Sequence, residues 1–242
     1  DGDASLDSLR FAGGTTLSKA TGALTIDWEN GTEARIRSEL TWNAIKNIAL
    51  DQFDGTKLTI ENFVDVLLAL SANTIDQSVI IDGAKRGKID LGSGNDTLWI
   101  GVDSNTNDWG NSFIVNAGAG DDHVTLARST VDYSITGGFA AAFQERWTSS
   151  VVHLGEGNDT FTGGGGNDTI DGGAGTDTVI FSGISANYLV TYNSGSQTFT
   201  VVDQRTGSPD GTETITGVEN FQFSDGTVAS STFIPSRRSS LK

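Results

Sequence analysis

The sequence predicts an all-β chain, a parallel solenoid whose short strands are joined by glycine corners and closed at the C-terminal end by a small β cap. Three observations predict it. A seven-residue block, Gly-x-Gly-(Asn/Asp/Thr)-Asp-x-apolar, recurs five times. Runs of three to seven residues rich in β-branched side chains alternate with Gly, Asp, Asn and Ser, the pattern of short strands and tight turns. Thirty-one glycines stand against two prolines. Disordered low-complexity chains carry proline with their glycine, so these glycines belong to defined turns.

Residues 1–57 are the least regular part. Leu24-Thr25-Ile26-Asp27-Trp28 has the alternation of a strand. Between residues 33 and 50, Ile36, Leu40, Trp42, Ile45 and Ile48 fit no single period. A short helix over 38–49 and a pair of strands therefore stand as alternatives. From Lys57 the texture changes, with β-rich runs at 57–60, 64–70, 79–81, 88–91, 97–100, 113–115, 123–126, 133–135 and 151–154. After residue 181 it changes again. Two strand-like runs, 187–192 and 198–202, flank Asn193-Ser194-Gly195-Ser196, a hairpin pattern. The expected organisation is an N-terminal region at 1–57 (a cap is one reading), a solenoid at 58–181, a β cap at 182–228 and a basic, disordered tail at 229–242.

The repeated blocks are Gly92-Ser93-Gly94-Asn95-Asp96-Thr97-Leu98, Gly118-Ala119-Gly120-Asp121-Asp122-His123-Val124, Gly155-Glu156-Gly157-Asn158-Asp159-Thr160-Phe161, Gly164-Gly165-Gly166-Asn167-Asp168-Thr169-Ile170 and Gly173-Ala174-Gly175-Thr176-Asp177-Thr178-Val179. The last three follow at nine-residue intervals. Glycine permits positive φ, and a turn built that way directs several backbone carbonyls to one side. The aspartate adds a formal charge. One turn supplies fewer than the six to eight oxygens that Ca²⁺ takes, and two stacked turns supply enough. The apolar residue two places later (Leu98, Val124, Phe161, Ile170, Val179) is expected in the core.

The net charge of −16 agrees with a cation requirement. An excess of this size repels nucleic acid and anionic lipid and opposes compaction. Oxygen ligands select Ca²⁺ or Mg²⁺ over zinc or copper. There is no cysteine, so a structural metal is the available staple. No signal peptide and no run of 18 apolar residues is evident, which speaks against membrane insertion. The chain starts at Asp1 and contains no methionine, so it reads as a piece of a longer polypeptide.

The block resembles the nine-residue calcium-binding signature of the repeats-in-toxin, or haemolysin-type, family, specifically over residues 91–181. The resemblance implies a right-handed parallel β-roll or β-helix with roughly three to five Ca²⁺ ions. It nominates as metal residues Asp96, Asp122, Asp159, Asp168 and Asp177. Their corners add Gly92, Gly94, Asn95, Gly118, Gly120, Asp121, Gly155, Gly157, Asn158, Gly164, Gly166, Asn167, Gly173, Gly175 and Thr176. In that family nine residues make half a coil, so Asp159 and Asp177, 18 apart, stack, and Asp168 falls on the opposite edge. The intervals 96–122 and 122–159, of 26 and 37 residues, are whole coils with insertions opposite the corner. Asp96, Asp122, Asp159 and Asp177 then form one column with about three ions between its members. Asp168 has no evident partner turn; Asp82-Gly83 and Asp103-Ser104-Asn105 are weak contributors on its side.

No catalytic residues are nominated. His123 and His153 have no second histidine or acidic partner at ligand or triad spacing. Trp99, Trp109 and Trp147, with Phe139 and Phe143, are core or loop residues that could alternatively stack on sugars. Any specific recognition is expected in the insertions 101–112 and 127–150. The resulting function is an extracellular, calcium-folded structural or adhesive module of a larger secreted or cell-surface protein. The family implies type I export, with calcium and an extracellular polysaccharide or cell-surface ligand as partners. The alternatives are a β-helix polysaccharide lyase or epimerase, and a carbohydrate- or ice-binding surface.

Overall fold

A computed structural model describes residues 24–29, 33–38, 47–50, 56–61, 65–70, 74–84, 86–102, 112–128 and 149–235. Strand β1 (Leu24–Glu29) runs antiparallel to β2 (Glu33–Ser38). From β2 onward the chain winds in coils of two strands. The first pairs β2 with β3 (Asn47–Leu50), the second β4 (Lys57–Glu61) with β5 (Asp65–Ala69), the third β6 (Ser78–Ala84) with β7 (Arg86–Asp90). The next are β8 (Thr97–Val102) with β9 (Ser112–Ala119), β10 (His123–Arg128) with β11 (Val151–Gly157) and β12 (Thr160–Thr162) with β13 (Thr169–Gly175). Strand β14 (Thr178–Ile180) opens the last turn.

The even-numbered strands from β2 to β14 lie side by side in one sheet, A, and the odd-numbered strands from β3 to β13 in a second, B. All pairings within these runs are parallel. Of the region where helix and strand pair were open alternatives, the described residues 33–38 and 47–50 are strands. The stack also reaches back to Glu33, past the boundary that the change of texture at Lys57 suggested. Residues 39–46, between β2 and β3, lie outside the described residues.

Alternation places every second side chain inside. Leu58, Val79, Leu98, Val124, Phe161, Val179 and Phe221 occupy successive rungs of one buried column in sheet A. Leu68, Ile89, Val115, Val152, Ile170 and Ile215 do the same in sheet B. Each such side chain contributes about 1.5–3 kcal/mol on leaving water. At Gly87 a Cβ would lie 2.9 Å from Phe113 Cδ1, so the glycine makes room for the ring on the next rung.

The C-terminal end closes with antiparallel strands. A hairpin of β15 (Tyr188–Asn193) and β16 (Thr198–Asp203) leads to β17 (Thr212–Thr216), antiparallel to β16 and parallel to β13. Strand β18 (Asn220–Phe223) extends sheet A in parallel with β14 and turns into antiparallel β19 (Gly226–Ala229). Phe181, Tyr188, Phe199, Phe221, Phe223 and Phe233 pack beneath these strands, with ring centroids 5.1–6.0 Å apart. A polar lock lies beside them. Arg205 binds Asp203 and Asp210 at 2.7 and 3.0 Å, and the Tyr188 hydroxyl donates to Asp210. Among the described residues, no helix is long and apolar enough to cross a membrane.

Candidate metal centre: the stacked glycine corners

The four corners that lead from β7 to β8, β9 to β10, β11 to β12 and β13 to β14 each carry one repeated block. The register sets Thr97, His123, Thr160 and Thr178 on successive rungs, which stacks Asp96, Asp122, Asp159 and Asp177 one residue earlier. The residues that lengthen two of these coils fall between β8 and β9 and between β10 and β11, on the path from sheet A to sheet B. Coils of 26, 37 and 18 residues therefore keep one register at the corner.

The four carboxylates form a directional chain of hydrogen bonds. Gln77 N–H donates to Asp96 Oδ1, Asp96 N–H to Asp122 Oδ1, Asp122 N–H to Asp159 Oδ1 and Asp159 N–H to Asp177 Oδ1, at 2.7–2.9 Å. Glu219, from the cap, ends the column by accepting from Asp177 N–H at 2.9 Å. A second, exposed ladder runs beside it: Asp121, Asn158 and Thr176 donate their N–H groups to the side chains of Asn95, Asp121 and Asn158 in turn. Thr176 enters this ladder through its backbone, which is why a threonine is tolerated where other copies have Asn or Asp.

The glycines are fixed by the rung below. A Cβ on Gly118 would lie 1.7 Å from Gly92 O, and one on Gly157 would lie 1.9 Å from Gly120 O. Both residues have positive φ, 115° and 141°. No other residue allows this conformation and this approach together.

The second oxygen of each aspartate has a different environment. Asp96, Asp122, Asp159 and Asp177 are 0–2 % exposed, and Oδ2 of each is buried without a hydrogen-bond partner. Burial pushes the carboxyls of Asp96 and Asp177 up to about 6 and that of Asp122 up to about 7, and raises Asp159 as well. Backbone hydrogen bonds oppose the shift and neighbouring carboxylates add to it. In its charged form each carboxylate keeps a buried oxygen that no donor among the described residues satisfies. A hard cation would satisfy the oxygen and offset the repulsion along the column.

The donor set fits calcium. Among the described residues, no three His, Cys, Asp or Glu side chains converge on one point. A metal here would be held by one carboxylate oxygen per corner together with backbone carbonyls, a hard-oxygen set. The corner at Gly172 shows such a cradle. A Cβ there would lie 2.1 Å from Gly217 O and 2.7 Å from Asp177 Oδ2, so both oxygens border one small gap.

Residues 151–181 match the family model described as RTX calcium-binding nonapeptide repeat (4 copies). Residues 151–181 carry RTX calcium-binding repeats. No curated protein and no solved structure matches the chain. The matched segment holds the three contiguous blocks, and the RTX-type corners at 92–98 and 118–124 continue the same ladder outside it. The chain is thus a calcium-binding repeat module with a β-roll fold.

Asp168 lies on the opposite edge, as the half-coil spacing requires, and it does have neighbours there. Ser150 N–H donates to its Oδ1 at 2.7 Å, and its own N–H donates to Glu213 Oε2 at 3.0 Å. Sequence reading missed Glu213 because Asp210-Gly211-Thr212-Glu213 does not match the repeat; only its position 45 residues after Asp168, across the cap hairpin, brings it into register. This corner also differs in shape. Positive φ occurs at Gly165 and Gly166 rather than at Gly164, which the repeat pattern equates with Gly92.

Asp82 is buried in β6, with Oδ1 2.5 Å from a Cβ built on Gly101. Asp103-Ser104-Asn105, Trp109, Phe139, Phe143 and Trp147 lie outside the described residues. Trp99 is half-buried on the outer face of sheet A, between Ile80 and Thr125. His123 shares that face and contacts Thr160 and Thr125. His153 is on the outer face of sheet B, 3.7 Å from Asp171, with both side chains half-exposed.

Proposed function

We propose that this chain is an extracellular, non-catalytic module of a larger secreted protein, folded and stiffened by calcium held between its glycine corners. The observation that carries the reading is the set of buried Oδ2 atoms on Asp96, Asp122, Asp159 and Asp177, each without a protein partner. The ions are assigned to the gaps between successive corners, about three along this column. Their ligands are the aspartates together with carbonyls of Gly92 to Asn95, Gly118 to Asp121, Gly155 to Asn158 and Gly173 to Thr176. Low calcium inside a cell leaves the chain unfolded for export, and millimolar calcium outside folds it.

A structural or adhesive role is supported by the separation of His123 and His153 on the outer faces of different sheets, each beside an exposed partner rather than a buried acid–base group. A polysaccharide or a cell-surface component is the partner class assigned to it. Calcium titration of the chelated chain, followed by circular dichroism and calorimetry, tests the proposal. Folding on calcium addition, with several ions bound per chain, is the expected result. A full β signal and an unchanged melting temperature after exhaustive chelation would overturn it.

A further inference from the structure

The first edge of the solenoid has its aspartates arranged by the repeat. The second edge has only Asp168 from a repeated block, yet the cap rebuilds the corner from unrelated sequence. Thr212 N–H donates to Gly166 O at 2.9 Å, and Thr214 N–H to Asp168 O at 2.8 Å. Gly211 has φ 74°, and a Cβ there would lie 1.5 Å from Gly166 O. This is the stacking relation of Gly118 on Gly92. Glu213 then occupies the place that Asp177 has beneath Asp159, accepting the N–H of the aspartate one coil earlier.

Two carboxyl groups are thereby taken out of water together. Asp168 is 1 % exposed and Glu213 is 3 % exposed. Asp168 Oδ2 is buried with no hydrogen-bond partner. Among the described residues, the charged groups that act on Glu213 are Asp168 and Asp210, both acidic. Arg205, the cap's guanidinium, is committed to Asp203 and Asp210. Like charges buried side by side require either shared protons or a cation. A cation between the two corners would satisfy Asp168 Oδ2 and offset the repulsion together.

We propose that Asp168 and Glu213 hold a calcium ion on the second edge, with backbone carbonyls of the Gly163–Gly166 corner, and that this ion docks the C-terminal cap onto the last coils. The inference rests on the reading of orphaned carboxylate oxygens as calcium ligands and extends it to a glutamate outside the repeats. The ion is a clamp between cap and solenoid rather than another member of the column.

The test is the number of calcium ions bound per chain, by native mass spectrometry and calorimetric titration, in the wild-type chain and in Glu213→Gln. Glutamine keeps an oxygen for Asp168 N–H and removes the charge. The variant is expected to bind one ion fewer. In calcium, its β16 and β17 amides should exchange at least tenfold faster, with β9 and β11 unchanged. An unchanged count, with equal or greater thermal stability, would mean that the pair shares a proton, and the proposal fails. If Glu213→Gln does not fold, Glu213→Asp keeps the charge on a shorter arm. It is expected to keep the ion with at least tenfold weaker affinity, and unchanged affinity would refute the clamp equally. Loss of all calcium binding in the wild-type chain would instead sink the broader functional reading, so the two failures are separable.

Discussion

Replacing Asp122 by asparagine should change stability in opposite directions with and without calcium. The carbonyl of asparagine can still accept Asp96 N–H, now made at 2.8 Å, so the hydrogen-bonded column survives. What disappears is the charge on the orphaned oxygen. The folded-state pKa of Asp122 is raised to about 7 from 3.8. A raised carboxyl costs nothing below its unfolded pKa and its full penalty above its folded one, so at pH 8 without calcium the wild type bears that penalty. The ceiling is about 4 kcal/mol at 1.36 kcal/mol per unit. The buried amide N–H₂, lacking an acceptor, gives back about 1–3 kcal/mol. Asparagine should therefore stabilise the chelated chain by about 1–3 kcal/mol. In excess calcium the same change removes a ligand bordering two gaps. Losing the ions of both gaps, each present at a hundred times its Kd, removes about 5.4 kcal/mol. Set against the gain of about 1–3 kcal/mol, this leaves the variant about 2–4 kcal/mol less stable, or roughly 5–18 °C lower in melting temperature for a domain of this size. Thermal melts of both chains in EGTA and in millimolar calcium measure the two signs. Equal destabilisation in both buffers would show that Asp122 acts only through packing and hydrogen bonding.

Three further outcomes follow from the same geometry. Gly157→Ala places a Cβ 1.9 Å from Gly120 O at φ 141° and should cost several kcal/mol in calcium melts; Gly195→Ala, with only Asn193 Oδ1 near at 3.3 Å, is the near-neutral control. Acidification should stabilise the chelated chain as pH falls from 8 through the raised values of about 7 and 6 at Asp122, Asp96 and Asp177, and should destabilise the calcium-loaded chain by displacing the ion; circular dichroism against pH in the two buffers reads both slopes. Arg205→Ala should cost about 3–5 kcal/mol by leaving buried Asp203 and Asp210 uncompensated. Burial acts to raise the Asp203 carboxyl, but Arg205 and backbone N–H groups outweigh it and hold the carboxyl below its usual value. That difference should therefore be present at pH 7 and shrink as pH falls below the unfolded carboxylate value toward the lowered one, as urea unfolding over a descending pH series would report.

What was legible in the sequence is what repetition encodes. The Gly-x-Gly-x-Asp pattern marks a position where a rung is stacked and no Cβ fits; together with the half-coil length that the family resemblance supplies, and with the two long intervals taken as whole coils carrying insertions, it puts Asp96, Asp122, Asp159 and Asp177 on one edge. Regions defined by pairing rather than by pattern were not legible. Strands β2 and β3 carry no corner signature and gain their identity from the ladder with β4 and β5. Glu213 and Glu219 lie in ordinary β texture, and their roles come from the return of the cap strands to β13 and β14. A sequence reader sees a residue's neighbours along the chain, whereas these two glutamates matter through residues 45 and 42 positions away.

The buried hydrogen bonds at both edges share a polarity. Every buried corner aspartate, and each of the two cap glutamates, reaches back to the amide of the coil before it, whereas the exposed ladder through Asn95, Asp121 and Asn158 runs the other way; the buried half of a corner is therefore not finished until the chain that follows has arrived. Glu213 and Glu219 are the final links, one for each edge. The cap therefore acts as the keystone of the arch. A chain lacking it would leave both terminal amides unsealed, and order should propagate from this end toward the N-terminus rather than outward from the middle.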